Sequence, residues 1–366
     1  MKLGIILGTR PEIIKMSPLI RECIEREIDF FVLHTGQHYS DDLDKIFFRD
    51  LELPEPKYNL GVGGEPYRKQ VGMMIKEISN VLIKERPDVI IVQGDTISVL
   101  AGALAADKLG IKIAHHEAGL RSHDTTMLEE INRVIVDHIS DFLFVPTPDA
   151  LKNLYEEGKD PHKIVVSGNT IVDAVMQNGL IAEQKSKILE NLNLKPKEYI
   201  LVTSHRAENV DAKNRLRGIL EGISLVQKKL GIPVIFPIHP RTQKRIKEFE
   251  LPVPGNIKFI EPVGFLDFLT LEKNAKLVMT DSGGAQEESF ILGVPCVTLR
   301  DNTERPETIE EGANMLAGAE PEKILECAQI MINKEKLRKN RVNPFGKGDA
   351  AKIIIDTLTR QLIKNE

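Results

Sequence analysis

Residues 277–288 read LVMTDSGGAQEE, an apolar run that passes through Asp281-Ser282-Gly283-Gly284 into a polar segment. This order predicts a short buried strand, a tight turn and the start of a helix, which is the repeating unit of a parallel sheet covered by helices. Ligands of open parallel sheets bind beyond the carboxyl ends of the strands. The residues that follow each apolar run are therefore the first candidates for a functional site.

Apolar runs of the same kind recur along the chain in two series, each alternating with segments of helical pattern. The first series comprises 3–7, 30–34, 89–92, 111–115 and 142–145, and the second comprises 199–202, 234–237, 257–260, 277–279 and 296–299. A length of 366 residues also exceeds what one core usually organises. The sequence therefore predicts two doubly wound, Rossmann-like α/β domains, at 1–174 and 175–350. A closing helix at 351–366 is expected to pack back on the first domain.

The composition limits the classes of partner. Lys and Arg number 49 against 54 Asp and Glu, and a net charge of -5 gives no general field for nucleic acid or anionic lipid. Cys23, Cys296 and Cys327 match neither a disulfide framework nor zinc spacing. The apolar run at 3–7 is too short for a signal peptide or a membrane span. We expect a cytoplasmic protein that binds neither nucleic acid nor membrane.

Two loops have the composition of an anion site. Ser282, Gly283 and Gly284 open a predicted helix, where backbone amides and the helix dipole favour a phosphate. The alternative is a tight turn with Ser282 as its cap. Glu288, one turn on, either reaches ribose hydroxyls or lies on a solvated face.

The second such loop is Gly8-Thr9-Arg10-Pro11-Glu12, in which Pro11 suits the first helical position. Arg10 and Lys15 could clamp a diphosphate, or they could be solvated bases on an ordinary capped helix. The segment 8–15 lacks the ending of a P-loop, and 61–64 does not complete a dinucleotide fingerprint. We therefore expect no cofactor.

Carboxylates and histidines follow other apolar runs. Asp95 and Glu117 end two predicted strands, which favours acid/base work over simple helix capping. Glu129 and Arg133 have i,i+4 spacing and can pair. Neighbouring His115 and His116 point to opposite faces of a strand, so no metal site is expected. Instead, we expect one of these histidines to pack inside and the other to hydrogen-bond at the surface.

Six motifs occur in one order along nearly the whole chain. They are Gly8-Thr9-Arg10-Pro11-Glu12, Gln93-Gly94-Asp95-Thr96, Glu117-Ala118-Gly119-Leu120-Arg121, Glu129-Glu130-Ile131-Asn132-Arg133, 280–288 and Thr303-Glu304-Arg305-Pro306-Glu307. Together they resemble the non-hydrolysing UDP-N-acetylglucosamine 2-epimerases. The resemblance implies the GT-B architecture, in which two domains face a central cleft and the second holds most of the nucleotide. It also implies UDP-N-acetylglucosamine and UDP as ligands, and a homodimer.

The resemblance further implies roles for individual residues. The acid/base positions are Asp95, Glu117, Glu129 and His205, with neither base nor acid assigned. The substrate-binding positions are Arg10, Lys15, Phe268, Ser282, Gly283, Gly284, Glu288 and Arg305. A second, activating substrate molecule would lie near Gln37, His38, Arg206 and His239. The segment 122–128 is shorter than in many bacterial members and lacks their proline, so the alignment leaves Glu130 as an alternative to Glu129.

The chemistry expected of such an enzyme is elimination and re-addition. The proton on carbon 2 of the sugar has no adjacent carbonyl to acidify it, but departure of UDP from carbon 1 builds oxocarbenium character that does. Removal of that proton gives 2-acetamidoglucal, and re-addition of UDP with a proton from the other face gives UDP-N-acetylmannosamine. The alternatives are a hydrolysing epimerase, a GT-B glycosyltransferase and a UDP-sugar sensor without catalysis.

Overall fold

The computed structural model describes residues 1–37, 41–64, 66–334 and 343–363, with the backbone alone for 41–44 and 363. These residues form two α/β units. One comprises Met1–Gln177 with Pro344–Glu366, and the other comprises Asn178–Asn343. Each unit contains a single sheet in which the paired strands run parallel, so the predicted fold class is confirmed.

The first unit is built on a seven-stranded sheet in the order β3-β2-β1-β4-β5-β6-β7. Its strands are β1 (Lys2–Leu7), β2 (Asp29–His34), β3 (Tyr58–Asn59), β4 (Val89–Gln93), β5 (Lys112–His116), β6 (Phe142–Val145) and β7 (Ile164–Val166). Its helices are α1 (Arg10–Glu25), α2 (Asp41–Asp50), α3 (Tyr67–Glu85), α4 (Ile97–Lys108), α5 (Leu128–Ile139) and α6 (Pro148–Glu156). The next helix, α7 (Thr170–Lys185), contains the boundary between the two units.

The second unit has a six-stranded sheet in the order β10-β9-β8-β11-β12-β13. In chain order its elements are α8 (Ile188–Leu192), β8 (Ile200–Thr203), α9 (Ala207–Val210), α10 (Lys213–Leu230), β9 (Val234–Pro237), α11 (Pro240–Glu248), β10 (Ile257–Ile260), α12 (Phe265–Asn274), β11 (Leu277–Thr280), α13 (Gly283–Ile291), β12 (Cys296–Thr298), α14 (Pro306–Glu310), β13 (Asn314–Leu316) and α15 (Pro321–Asn333).

The last helix, α16 (Ala350–Ile363), belongs to the first unit. Ile354, Ile355 and Leu358 on this helix are fully buried. Asp173 on α7 accepts hydrogen bonds from the backbone amides at the start of α16, with N···O distances of 3.3 and 3.0 Å. The chain after Asn343 is therefore tied to the first sheet by packing and by hydrogen bonds.

Both sheets reverse their strand order at one point, which lies between β1 and β4 in the first unit and between β8 and β11 in the second. Such switch points open a crevice at the carboxyl ends of the strands. The loops that leave these four strands are Gly8-Thr9, Gly94-Asp95, Ser204-His205 and Asp281-Ser282. The topology thus brings the polar motifs to the edge where ligands of this fold class bind. None of the helices described is both long enough and apolar enough to cross a membrane.

Candidate active site

Glu117 is a buried carboxylate that directly follows β5. Lys15 Nζ lies 2.5 Å from its Oε1 atom, and Asn169 Nδ2 donates to the same atom at 2.8 Å. Gln93 donates to Oε2. The backbone of Glu117 has φ +67°, a left-handed conformation that costs a non-glycine residue on the order of 1 kcal/mol or more. These contacts hold the side chain of Glu117, whose backbone is strained, in one position beside a cation.

Asp95 leaves the neighbouring strand β4 and is paired with an arginine. Arg133 on α5 forms an ion pair with its Oδ2 atom, and Asn132 Nδ2 donates to its backbone oxygen at 2.8 Å. Between β4 and Asp95, Gly94 has φ +82°, and a Cβ atom there would lie 3.5 Å from Glu117 Oε2. Glycine at this turn lets the Asp95 loop approach the Glu117 carboxylate.

The two glutamates at the start of α5 have different surroundings. Glu129 is exposed, whereas Glu130 is buried and accepts hydrogen bonds from Ser122 N at 2.9 Å and His123 N at 3.0 Å. Burial acts to raise the pKa of Glu130, but these hydrogen bonds and the Arg133 charge outweigh it and lower the pKa. Arg133 Nη1 lies 3.0 Å from Glu130 Oε2, so its carboxylate partners are Glu130 and Asp95 rather than the predicted Glu129.

Glu12 clamps the loop after β1 to the loop after β4. Its Oε2 atom accepts hydrogen bonds from the backbone amides of Gly8 at 2.7 Å and Thr9 at 2.8 Å, and its Oε1 atom accepts from Thr96 Oγ1 at 2.6 Å. Burial raises the pKa of Glu12 to about 7, against the opposing effect of these hydrogen bonds. Glu12 thus occupies two loop amides that an anion could otherwise bind.

The two predicted diphosphate cations on α1 have separate contacts. Arg10 begins the helix, and its guanidinium lies 5.5 Å from the ring centroid of Phe47. Lys15 is buried against Glu117, so the description of Lys15 as a solvated base is wrong. A cation paired with a buried carboxylate can orient that carboxylate and moderate its basicity.

His115 and His116 are both fully buried, so the expectation that one would lie at the surface is wrong. His115 Nδ1 lies 2.7 Å from Asp137 Oδ1, and its Nε2 atom lies 2.8 Å from the Gly94 oxygen. His116 Nε2 lies 2.9 Å from Thr170 Oγ1, and burial lowers the pKa of His116 to about 4. Within the described ranges, no group of three His, Cys, Asp or Glu side chains could hold a metal ion.

Gln37 forms hydrogen bonds with residues of α3 and α4. Its Oε1 atom accepts from Ser98 Oγ at 2.8 Å, and its backbone oxygen accepts from Gln70 Nε2 at 3.1 Å. The next residue, His38, is another predicted contact of an activating substrate, and it lies outside the described residues.

In the second unit, Asp281 fixes the loop that carries His205. Asp281 is fully buried and accepts hydrogen bonds from Ser204 Oγ at 2.7 Å and from the backbone amides of His205 and Arg206 at 3.0 Å. Burial lowers the pKa of His205, with Asp281 opposing that change. His239, the cap of α11, places its ring centroid 5.6 Å from that of His205.

The turn after β11 has the geometry of an anion site. Ser282 caps α13, and its Oγ atom accepts from Ala285 N at 3.4 Å. A Cβ atom built on Gly283 would lie 3.9 Å from both Arg206 Nη2 and Glu304 Oε2, and one built on Gly284 would lie 3.8 Å from Ser282 Oγ. The helix N-terminus therefore opens beside a guanidinium and a carboxylate, and its amides together with the guanidinium favour a phosphate group. Both interpretations of Ser282, as cap and as part of an anion site, are compatible with this turn.

Other predicted nucleotide contacts lie around α13. Glu288 is buried on this helix, and Phe268 on α12 is partly buried against the adjacent apolar cluster. Arg305 caps α14, and its Nε atom lies 2.5 Å from Glu287 Oε1. The helix that begins at the Ser282 turn thus carries two buried glutamates, one of which is paired with Arg305.

Four residues that hold the predicted groups in place were not singled out from the sequence. They are Gln93 and Asn169 on Glu117, Glu12 between two loops, and Asp281 under the His205 loop. Gln93, Glu12 and Asp281 lie within quoted motifs, which were the signal available for them. Arg133 was expected to pair with Glu129, and the structure pairs it with Asp95 and Glu130 instead.

Comparison with known proteins identifies the family. Residues 21–359 match the family model described as UDP-N-acetylglucosamine 2-epimerase. The UDP-N-acetylglucosamine 2-epimerase of Methanocaldococcus jannaschii is 56% identical over 365 residues, which span 98% of this chain and 99% of that protein. A Pseudomonas aeruginosa UDP-2,3-diacetamido-2,3-dideoxy-D-glucuronate 2-epimerase is 40% identical over 98% of this chain and 100% of its own length.

A solved structure gives the same result. The crystal structure of the Methanocaldococcus jannaschii enzyme in complex with UDP-GlcNAc and UDP has a TM-score of 0.89 and 56% identity, over 98% of this chain and 100% of that one. At that coverage the match extends over both α/β units. The chain belongs to the UDP-N-acetylglucosamine 2-epimerase family, whose members are isomerases.

Proposed function

We propose that this enzyme interconverts UDP-N-acetylglucosamine and UDP-N-acetylmannosamine without hydrolysis, by elimination and re-addition of UDP. The observation that carries the proposal is the Glu117 carboxylate, which is buried, held by Lys15, Gln93 and Asn169, and placed next to the Asp95 loop. The two relatives compared are both named as 2-epimerases of UDP-sugars, which supports carbon 2 as the reacting centre.

The first step breaks the bond between carbon 1 and the β-phosphate oxygen, and the bonding electrons leave with UDP. A side chain removes the carbon 2 proton, and the electrons of that C–H bond form the double bond of 2-acetamidoglucal. The reverse step adds UDP at carbon 1 and a proton at carbon 2 from the opposite face. The proposed acid and base groups are Asp95, Glu117, Glu129 and His205. The position of each group relative to carbon 2 of the bound sugar would show which one removes the proton and which one returns it.

The departing diphosphate requires positive charge and oriented dipoles. The N-terminus of α13 at Ser282, Gly283 and Gly284 supplies amides, and Arg206 Nη2 lies near this turn. Arg10, at the first position of α1, is proposed to contact the same diphosphate. Phe268, Glu288 and Arg305 are proposed to surround the nucleoside, and Glu288 is the proposed ligand of the ribose hydroxyls.

Product analysis tests the mechanism. After incubation with UDP-N-acetylglucosamine, we expect UDP-N-acetylmannosamine as the product, together with traces of 2-acetamidoglucal and UDP released from the enzyme. Stoichiometric free N-acetylmannosamine would show a hydrolysing epimerase instead. Sugar transfer to an acceptor would show a glycosyltransferase, and binding without turnover would show a sensor.

Substitution of the proposed acid and base groups tests the site. Asp95→Asn, Glu117→Gln and His205→Ala are each expected to lower kcat by a factor of about 10² to 10⁴. Asp95→Asn and Glu117→Gln also remove the carboxylate partners of Arg133 and Lys15, so their thermal unfolding temperatures should fall, and turnover is measured at a temperature where each variant is folded. Asp107→Asn is the matched control, since Asp107 is an exposed carboxylate near the end of α4. Near-normal turnover in all three site variants would remove the mechanism.

Activation by a second substrate molecule is also proposed, with Gln37, His38, Arg206 and His239 as its contacts. Gln37→Ala is expected to abolish a sigmoidal dependence of rate on substrate concentration. Hyperbolic kinetics in the unaltered enzyme would contradict this. The proposed homodimer would be seen by sedimentation at micromolar concentration.

A further inference from the structure

Glu272 is a buried carboxyl group that the proposed mechanism does not use. It lies near the end of α12 with its side chain fully excluded from solvent. Its Oε1 atom accepts a hydrogen bond from Ser289 Oγ at 2.9 Å. Its Oε2 atom is buried and receives no hydrogen bond from the part of the chain that the structure describes. A carboxylate in such a place would lack most of the donors that a buried charge needs.

The group next to Glu272 is another carboxyl. Glu288, which precedes Ser289 on α13, lies within hydrogen-bonding reach of the Glu272 side chain. Two ionised carboxylates within hydrogen-bonding reach of one another would repel each other strongly when buried. If one of them carries a proton, the repulsion becomes a hydrogen bond from a carboxylic acid to a carboxylate.

The surroundings determine which of the two carries the proton. Burial, followed by the nearby Glu288 charge, raises the pKa of Glu272 well above its ordinary value near 4.5. Glu288 retains some exposure to solvent, whereas Glu272 has none. The Cys296 thiol on β12 also faces Glu272, and its pKa is raised by burial and by Glu272, so it stays neutral. Glu272 is therefore the donor and Glu288 the acceptor.

We propose that Glu272 is a positioning residue, which holds the Glu288 carboxylate toward the ribose hydroxyls of the nucleotide through a hydrogen bond between the two side chains. The inference rests on the proposed function, in which Glu288 binds the ribose. Ser289 completes the arrangement, because its bond to Oε1 fixes the rotation of the Glu272 carboxyl and leaves the other oxygen to donate.

The test measures a preference for ribose hydroxyls. Dissociation constants of UDP and 2′,3′-dideoxy-UDP are determined by calorimetry, and their ratio reports the contribution of the hydroxyls. The unaltered enzyme is compared with Glu272→Gln, with Glu288→Ala, and with the double variant Glu272→Leu, Ser289→Ala. The double variant replaces a buried polar pair by apolar groups, so no Ser289 hydroxyl is left without its acceptor.

Glu272→Gln is expected to keep the preference within about threefold, because an amide can accept from Ser289 through its oxygen and donate to Glu288 through its nitrogen. The double variant is expected to lose the preference by roughly tenfold or more, with UDP weakened and dideoxy-UDP unchanged. Glu288→Ala, which has no acceptor for the ribose hydroxyls, is expected to lose it as well. Thermal unfolding of each variant establishes that the fold is retained.

Two results would overturn the inference, and they differ from one another. If Glu288→Ala loses the preference but the double variant keeps it, Glu288 is a ribose ligand that needs no help from Glu272. If Glu288→Ala keeps the preference, the ribose role of Glu288 itself fails, and the positioning role fails with it. Isotope exchange at carbon 2 is a separate measurement, so the proposed reaction is judged independently.

Discussion

Removal of the Lys15 charge should destabilise the protein through the carboxylate that it leaves behind. The Lys15 Nζ to Glu117 Oε1 distance is 2.5 Å, and the two side chains are 10% and 5% exposed. At a charge separation of about 3.5 Å and an effective dielectric constant of about 20, their attraction is on the order of 5 kcal/mol. Breaking such a buried pair from one side typically costs about 3–5 kcal/mol, because the remaining charge is uncompensated.

We therefore predict that Lys15→Met lowers the free energy of unfolding by about 3 kcal/mol, measured by urea denaturation at neutral pH. Lys152→Met is the matched control. Lys152 Nζ lies 3.7 Å from Glu156 Oε1, but those side chains are 71% and 65% exposed, so the expected loss is below about 1 kcal/mol. Equal losses in the two variants would refute the assignment of Lys15 and Glu117 as a buried pair.

A second substitution separates charge from packing. Adding Glu117→Gln to the Lys15→Met variant removes the uncompensated carboxylate, so the double variant should be more stable than Lys15→Met alone. Gln93 and Asn169 remain to hydrogen-bond the new amide. A double variant that is less stable than Lys15→Met would show that shape, not charge, is what the pair contributes.

Three further outcomes are expected. Gly8→Ala should lower the free energy of unfolding by about 1–3 kcal/mol, since its Cβ atom would lie 2.1 Å from two side-chain oxygens. Gly72→Ala, in an open helical position, should raise it by about 0.5–1 kcal/mol, and thermal unfolding compares the two variants. Asp281→Asn should lower kcat about tenfold, because the His205 loop loses its charged acceptor; an unchanged kcat would contradict that role. Burial raises the pKa of Asp173 from near 3.8 to about 6, so in that interval the folded state binds more protons and stability falls as pH rises. Asp173→Asn should reduce this slope by the contribution of one carboxyl and leave that of Glu12, whose pKa burial also raises; pH-dependent denaturation measures the difference.

Much of the fold follows from the apolar runs. The bounds predicted for β6, β9 and β10 are those observed. β6 and β9 consist of consecutive buried apolar residues, as strands inside a parallel sheet do, whereas β10 is an edge strand in which Lys258 is exposed. The edge strands β3, β7 and β13 were not predicted. They are two or three residues long, and no run that short can be told from a loop.

The candidate site was predictable where it depends on the ends of strands. Asp95 and Glu117 lie where the apolar runs stop, and the parallel sheet brings those ends together. Their partners were not predictable from the sequence. Asn169 reaches Glu117 from 52 positions away, and Arg133 reaches Asp95 from 38 positions away, through packing that no local pattern encodes.

Glutamates on helices were the least predictable group. The spacing of Glu129 and Arg133 suits a pair, yet the phase of α5 turns Glu130 inward and leaves Glu129 exposed. Glu272 lies near the end of α12 in a sequence that predicts a solvated helix end, yet its side chain is fully buried and bonded to Ser289 on α13. Burial of a charged residue depends on tertiary contacts, so only a structure reveals it.

The central claim is that carbon 2 of the nucleotide sugar loses and regains its proton while UDP is detached. The most direct measurement is nuclear magnetic resonance of UDP-N-acetylglucosamine incubated with the enzyme in deuterated water. We expect one deuterium at carbon 2 in the UDP-N-acetylmannosamine formed and, through the reverse reaction, in the recovered substrate. Epimerisation without deuterium at carbon 2, or no exchange in an enzyme that binds UDP, would contradict it.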